Sequence, residues 1–156
     1  MTAFLVRLLV LALASVLLYL LVWSGRRFVE TRRQQALAAA PLAVLATVGN
    51  TNNSLLPVDV ASTMPVRILA FSSADCHQCH QLQAPALQRV QETRGDSVSV
   101  LEIDAPSSPE LTRRYHVLTV PSTVILDASG HARGVNYGFA NTRRLLEQVD
   151  EVLAKG

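Results

Sequence analysis

Both cysteines of this chain fall in one seven-residue stretch, Asp75-Cys76-His77-Gln78-Cys79-His80-Gln81, with two of its four histidines. Three chemistries are open to these residue types at this spacing. Cys76 and Cys79 form a C-x-x-C pair that can cycle between dithiol and disulfide. With His80 they also make C-x-x-C-H, the pattern that attaches haem covalently. Two thiolates and two imidazoles are, finally, a ligand set for zinc. Each chemistry needs a different scaffold, so the elements around the stretch discriminate between them.

Val66-Arg67-Ile68-Leu69-Ala70-Phe71 is a short β-prone apolar run, expected to be a buried strand just ahead of the cysteines. Cys76 to Thr93 suits a helix: Leu82, Ala86, Leu87 and Val90 make an apolar stripe, and Pro85 predicts a kink or break within it. Gly95-Asp96 is a turn, and Val98 to Ile103 reads as a second strand. Ser108 and Pro109 suit the N-cap and first position of a helix that runs to about Tyr115. Thr123 to Leu126 and Arg133 to Tyr137 read as an antiparallel pair joined through Ala128-Ser129-Gly130. Asn141 caps a last helix whose stripe is Leu145, Leu146, Val149, Val152 and Leu153. The order β-α-β-α-β-β-α predicts an α/β domain over residues 66–156. Its four-stranded mixed sheet would carry helices on both faces. Two strand–helix–strand units would pair in parallel, and the closing hairpin would add an antiparallel strand.

The chain is 49% hydrophobic, and its first 23 residues are far richer than the rest. Phe4 to Trp23 has about the length that crosses a bilayer core as a helix. Arg7 can snorkel to the interface, and Tyr19 and Trp23 stand where interfacial aromatics are expected. Arg26, Arg27, Arg32 and Arg33 follow in place of a small-residue cleavage site. The expectation is therefore an uncleaved single-pass anchor in the lipid bilayer, not a signal peptide. Residues 1–3 would flank it, 24–40 would continue it as a juxtamembrane helix stopped by Pro41, and 41–65 would be a linker. By the positive-inside rule the arginines put the following domain in the cytoplasm. A net charge of +2, with no basic stripe among aromatics, argues against a nucleic-acid partner.

In this setting the cysteines open the first helix of the domain. Unpaired N–H groups and the helix dipole there stabilise a thiolate. Cys76 is the expected nucleophile. Cys79, one turn further in, is expected to be more buried and to resolve a mixed disulfide. His77 either adds positive charge beside the thiolate or is an exposed bystander. Asp75 acts in the opposite sense, an acid raising the thiol's pKa.

The strand RILAF, the motif Cys76-His77-Gln78-Cys79, the stretch IDAPSSPELTRRYHVLTVPST and the closing GFANTRRLLEQV resemble the thioredoxin family over residues 66 to 154. The resemblance implies a thioredoxin-like fold and a protein-disulfide oxidoreductase, which the amino-terminal run would tether to the membrane. Its Cys76–Cys79 pair would exchange with protein disulfides or dithiols near the membrane. An upstream redox donor or acceptor would recycle it, and no metal or organic cofactor is needed. Pro121 would be a cis-proline opposite the cysteines, with Val120-Pro121 positioning the partner chain. Tethered domains of this type often face outward, against the charge bias, so the side of the membrane stays open.

The departures from the family pattern bear on mechanism. Asp75 stands where cytoplasmic thioredoxins have tryptophan, and His77-Gln78 where they have Gly-Pro. Ala70 replaces the buried aspartate that takes the proton of the second thiol, Val100 replaces its lysine companion, and Pro85 comes one residue late. Glu102, Asp75, His80 and water are then the candidate proton acceptors for Cys79. Among the rivals, the haem reading has only Met1 and Met64 as methionines, both ahead of the motif, and finds His116 and His131 in a strand-bearing region. The zinc reading lacks a second ligand pair. A docking protein on the same frame, without turnover, is the third alternative.

Overall fold

The computed structural model describes residues 2–38 and 64–155. Two compact units are present, Met1–Gln34 and Gln35–Gly156. The first consists of helix α1 (Thr2–Leu37), which is continuous over 36 residues and extends into the second unit's range. In its polar half Arg33 pairs with Glu30 at 4.0 Å, and the Arg27 guanidinium lies 4.7 Å above the Trp23 ring. The expected membrane span over residues 4–23 is overturned. Among the described residues no helix is long and apolar enough to cross a membrane. Arg7 interrupts the run, so the part free of charge is residues 8–23. That segment rises about 24 Å as a helix, short of a hydrocarbon core of about 30 Å. The bilayer as partner and the single-pass localisation fall with it. The expected linker lies mostly outside the described residues, as does Pro41.

The second unit is built on a four-stranded sheet in the order β2-β1-β3-β4. The strands are β1 (Val66–Ser72), β2 (Val98–Asp104), β3 (Ser122–Asp127) and β4 (Ala132–Tyr137). Between β1 and β2 the chain makes a π-helical turn (Cys79–Gln83) and helix α2 (Ala84–Arg94). Helix α3 (Pro109–Arg114) follows β2, and α4 (Thr142–Leu153) closes the unit. β1 is central, which explains its near-continuous apolar run: both of its faces are covered. Val66, Ile68 and Ala70 face Ala86, Leu87 and Val90 of α2 and Leu145, Val149 and Val152 of α4. Leu69 and Phe71 join Leu111 of α3, Tyr115, Val124 and Leu126 in the other layer. Asn141 caps α4 as expected, its side chain accepting from the Arg144 N–H at 2.9 Å.

β1 and β2 are parallel, but β3 runs antiparallel to β1 and does not touch β2. The second strand–helix–strand unit is therefore not a parallel crossover. Helix lengths give the reason. The six residues of α3 rise about 9 Å, whereas the seven of β2 extend about 23 Å, so α3 cannot carry the chain back to the start of the sheet. The chain enters β3 from the end at which β2 leaves. Two local expectations also change. Ser108 makes no side-chain cap on α3; Asp104 instead accepts from the Ser107 N–H at 3.2 Å and from its hydroxyl. Leu82 is 47% exposed and outside the apolar stripe, because it lies in the π turn.

Candidate active site

The π turn has a chemical cause. Pro85 has no N–H, and its ring collides with the carbonyl four residues back in a regular helix. The chain widens by one residue ahead of it, and the Ala84 N–H bonds the Cys79 carbonyl, five residues back. The extra residue turns Gln83 inward, where it is 3% exposed. Its amide forms a two-point clamp on the segment after β4. Gln83 Nε2 donates to the Ala140 carbonyl at 3.2 Å, and the Ala140 N–H donates to Gln83 Oε1 at 2.9 Å. No sequence signal marks Gln83, since its role depends on the widened turn and on a residue 57 positions away.

Cys76 and Cys79 are joined in a disulfide, with a Cα–Cα distance of 5.3 Å. The loop after β1 presents them: the Cys76 N–H donates to the Ser73 carbonyl at 3.0 Å, and the Cys79 N–H to the Cys76 carbonyl at 3.0 Å. Cys76 is partly exposed and Cys79 is 4% exposed. The Cys79 N–H also reaches Cys76 Sγ at 3.2 Å. Once the disulfide opens, that donor favours the anionic form of the outer sulfur. Asp75, His77, Gln78 and His80 are all exposed. The His80 ring bonds the Ala74 carbonyl through Nε2 at 3.2 Å. Among the described residues no three His, Cys, Asp or Glu side chains gather as a metal site. His131 lies away from the cysteine loop in the β3–β4 turn, its Nδ1 2.7 Å from Ser129 Oγ.

The Val120–Pro121 peptide is cis. Phe71 near the end of β1 pairs with Ser122 at the start of β3, so the residue before Ser122 and the loop after β1 share one end of the sheet. Pro121 is buried and Val120 partly so. The Gly138 N–H donates to the Pro121 carbonyl at 2.9 Å, which brings the start of the Gly138–Ala140 segment to the proline. Gly138 holds φ +87°, a left-handed value that favours glycine. Leu118 and Phe139 flank this corner, 69% and 45% exposed. Beside Cys79 lies a small cavity of about 20 Å³, lined by Cys79, Gln83, Glu102, Ala70 and Ser72 among others. Glu102 is the Cα partner of Ala70 across the β1–β2 pair and is solvent-exposed on its outer side.

The thioredoxin family model matches residues 48–151. Thioredoxin Y2, chloroplastic, of Arabidopsis thaliana is 32% identical over 114 residues; the match covers 73% of this chain and 66% of that protein, just under two thirds. A thioredoxin of Listeria monocytogenes is 29% identical over 85 residues, covering 54% of this chain and 77% of its own length. Among solved structures, chloroplastic thioredoxin z superimposes with a TM-score of 0.53 at 27% identity, over 62% of this chain and 86% of that one.

Proposed function

Because the chain belongs to the thioredoxin family, we propose a specific division of labour at its disulfide. The class of the enzyme is thiol–disulfide oxidoreductase, and its substrates are protein disulfides. Within that class Cys76 is the attacking thiolate and Cys79 the resolving one. The observation that carries this assignment is the difference in burial: Cys76 is partly exposed, whereas Cys79 is 4% exposed. Only the outer sulfur can be reached by a second protein. The thiolate of Cys76 attacks a partner disulfide, forming a mixed disulfide and expelling one partner thiolate. Cys79 then attacks Cys76 Sγ, closing the Cys76–Cys79 bond and releasing the second partner thiolate. The partner gains two electrons, and the chain loses them.

Val120 and Pro121 position the partner's backbone, and the exposed side chains of Leu118 and Phe139 give it an apolar rest. His77 and Asp75, both exposed beside Cys76, tune the thiolate in opposite senses. An upstream dithiol donor returns the pair from the disulfide to the dithiol. The test is turnover of a disulfide-bonded protein such as insulin with dithiothreitol as donor. The intact chain accelerates reduction, and Cys76→Ser removes the acceleration. Acceleration retained in Cys76→Ser would overturn the assignment, and none from the intact chain would leave a docking protein.

A further inference from the structure

Resolution requires Cys79 to give up a proton, and Cys79 is almost wholly shielded from solvent. Position 70, the point on β1 nearest in register to Glu102, is alanine and cannot take that proton. We propose that Glu102 is the proton acceptor for Cys79, acting through one water molecule held in the cavity that both residues line. This rests on the redox reading above and adds the group that completes its second step.

Three observations converge. Cys79 and Glu102 line the same cavity, and Glu102 is the only carboxylate among its lining residues. The cavity, at about 20 Å³, has room for a single water, and Ser72 and Glu102 supply the polar partners that such a water needs. The Gln83 amide also lines it but is committed to Ala140. Finally, the parallel register sets Glu102 beside Ala70, and Ala70 belongs to the layer that packs under α2. The small side chain at 70 lines the same cavity as the carboxylate and the sulfur. Glu102 is exposed on its other side, so the proton can pass on to bulk water.

The other titratable groups near Cys79 are placed differently. Asp75, His77 and His80 are on the cysteine segment itself, all exposed and none lining the cavity, and the His80 ring is turned to the Ala74 carbonyl. From α2, only Ala84 and Leu87 face the cavity, and neither titrates. In the step itself, the Cys79 thiol proton moves to the water as a water proton moves to Glu102. The thiolate so formed attacks Cys76 Sγ, the Cys76–partner bond breaks, and the electron pair leaves on the partner sulfur. Reduction of the disulfide runs the relay backwards.

The test follows both steps separately in the reduced full-length chain. Reaction with 5,5′-dithiobis(2-nitrobenzoate) releases one thionitrobenzoate as Cys76 attacks and a second as Cys79 resolves. In Glu102→Gln the first, bimolecular phase stays within about twofold of the unsubstituted chain. The second, unimolecular phase slows by about 100-fold at neutral pH, the lower end of what general-base catalysis contributes. It also acquires the steeper pH dependence of an unassisted thiol. Glu102→Asp recovers part of the rate, because a shorter carboxylate still reaches a water. An unchanged second phase and pH profile in Glu102→Gln would overturn the proposal while leaving the redox reading intact. Absence of the second phase in the unsubstituted chain would instead overturn the redox reading.

Discussion

Replacing Gln83 with alanine removes a contact on which the geometry of the site depends. Gln83 and Ala140 are 3% and 1% exposed, so neither partner finds water when the other is removed. Two hydrogen bonds disappear, and the Ala140 N–H and C=O are left buried without partners. An unsatisfied buried backbone group costs about 1–3 kcal/mol. Partial relaxation of the Gly138–Ala140 segment sets a total of about 3 kcal/mol. For a domain of this size that is a fall in Tm of about 12–24 °C. Urea unfolding of the oxidised full chain, followed by circular dichroism, measures the loss directly. Amide exchange at Ala140 should accelerate more than exchange at Leu145, whose N–H bonds the Asn141 carbonyl at the start of α4. Gln83→Glu keeps an acceptor for the Ala140 N–H at neutral pH but buries a carboxylate against the Ala140 carbonyl, so it should recover none of the loss. A change below about 1 kcal/mol in Gln83→Ala would refute the clamp, and with it the account of why the π turn buries this residue.

Asp127 is pushed up by partial burial, but hydrogen bonds from Ser129 Oγ, Arg133 Nε and the His131 N–H outweigh this and hold its carboxyl at about 2. A depressed folded-state value means that its stabilising contribution is complete above the ordinary carboxylate range and is lost as pH falls from about 4 to about 2. Asp127→Asn should therefore narrow the stability gap to the unsubstituted chain across that window, and a gap constant from about pH 5 to about pH 2 would contradict the assignment. Leu87 is 4% exposed whereas Leu82 is 47% exposed, so Leu87→Ala should cost about 2–4 kcal/mol and Leu82→Ala about 0.5 kcal/mol or less. Equal losses in urea unfolding would restore Leu82 to the apolar stripe and remove the π turn.

Local chemistry makes much of the domain legible in the sequence. VRILAF is apolar apart from Arg67 because β1 is covered on both faces, and Asn141 ahead of an amphipathic run is a strong cap signal. The direction of β3 is harder to read. Motif order suggests a second parallel crossover, and only the short rise of α3 against the length of β2 shows that it cannot be made. Pro85 announces a break but not its form, and the inward turn of Gln83 follows from that form. Its bond to Ala140 joins residues 57 positions apart, which no window of sequence contains. Glu102 is one of four candidate acceptors by composition; the strand register, which puts it beside Ala70, separates it from the others. The amino-terminal run reads as a span by its total apolar length, and Arg7 within it shortens the part that counts.

Everything proposed for the site depends on Cys76 meeting the partner and Cys79 resolving it. The most direct measurement traps the intermediate: the reduced full-length Cys79→Ser chain is mixed with a disulfide-bonded protein, and the adduct is mapped by peptide mass spectrometry. A stable mixed disulfide should form at Cys76, and none in Cys76→Ser treated in the same way on the same timescale. An adduct that forms readily at Cys79 in Cys76→Ser, or no adduct in either variant, would contradict it.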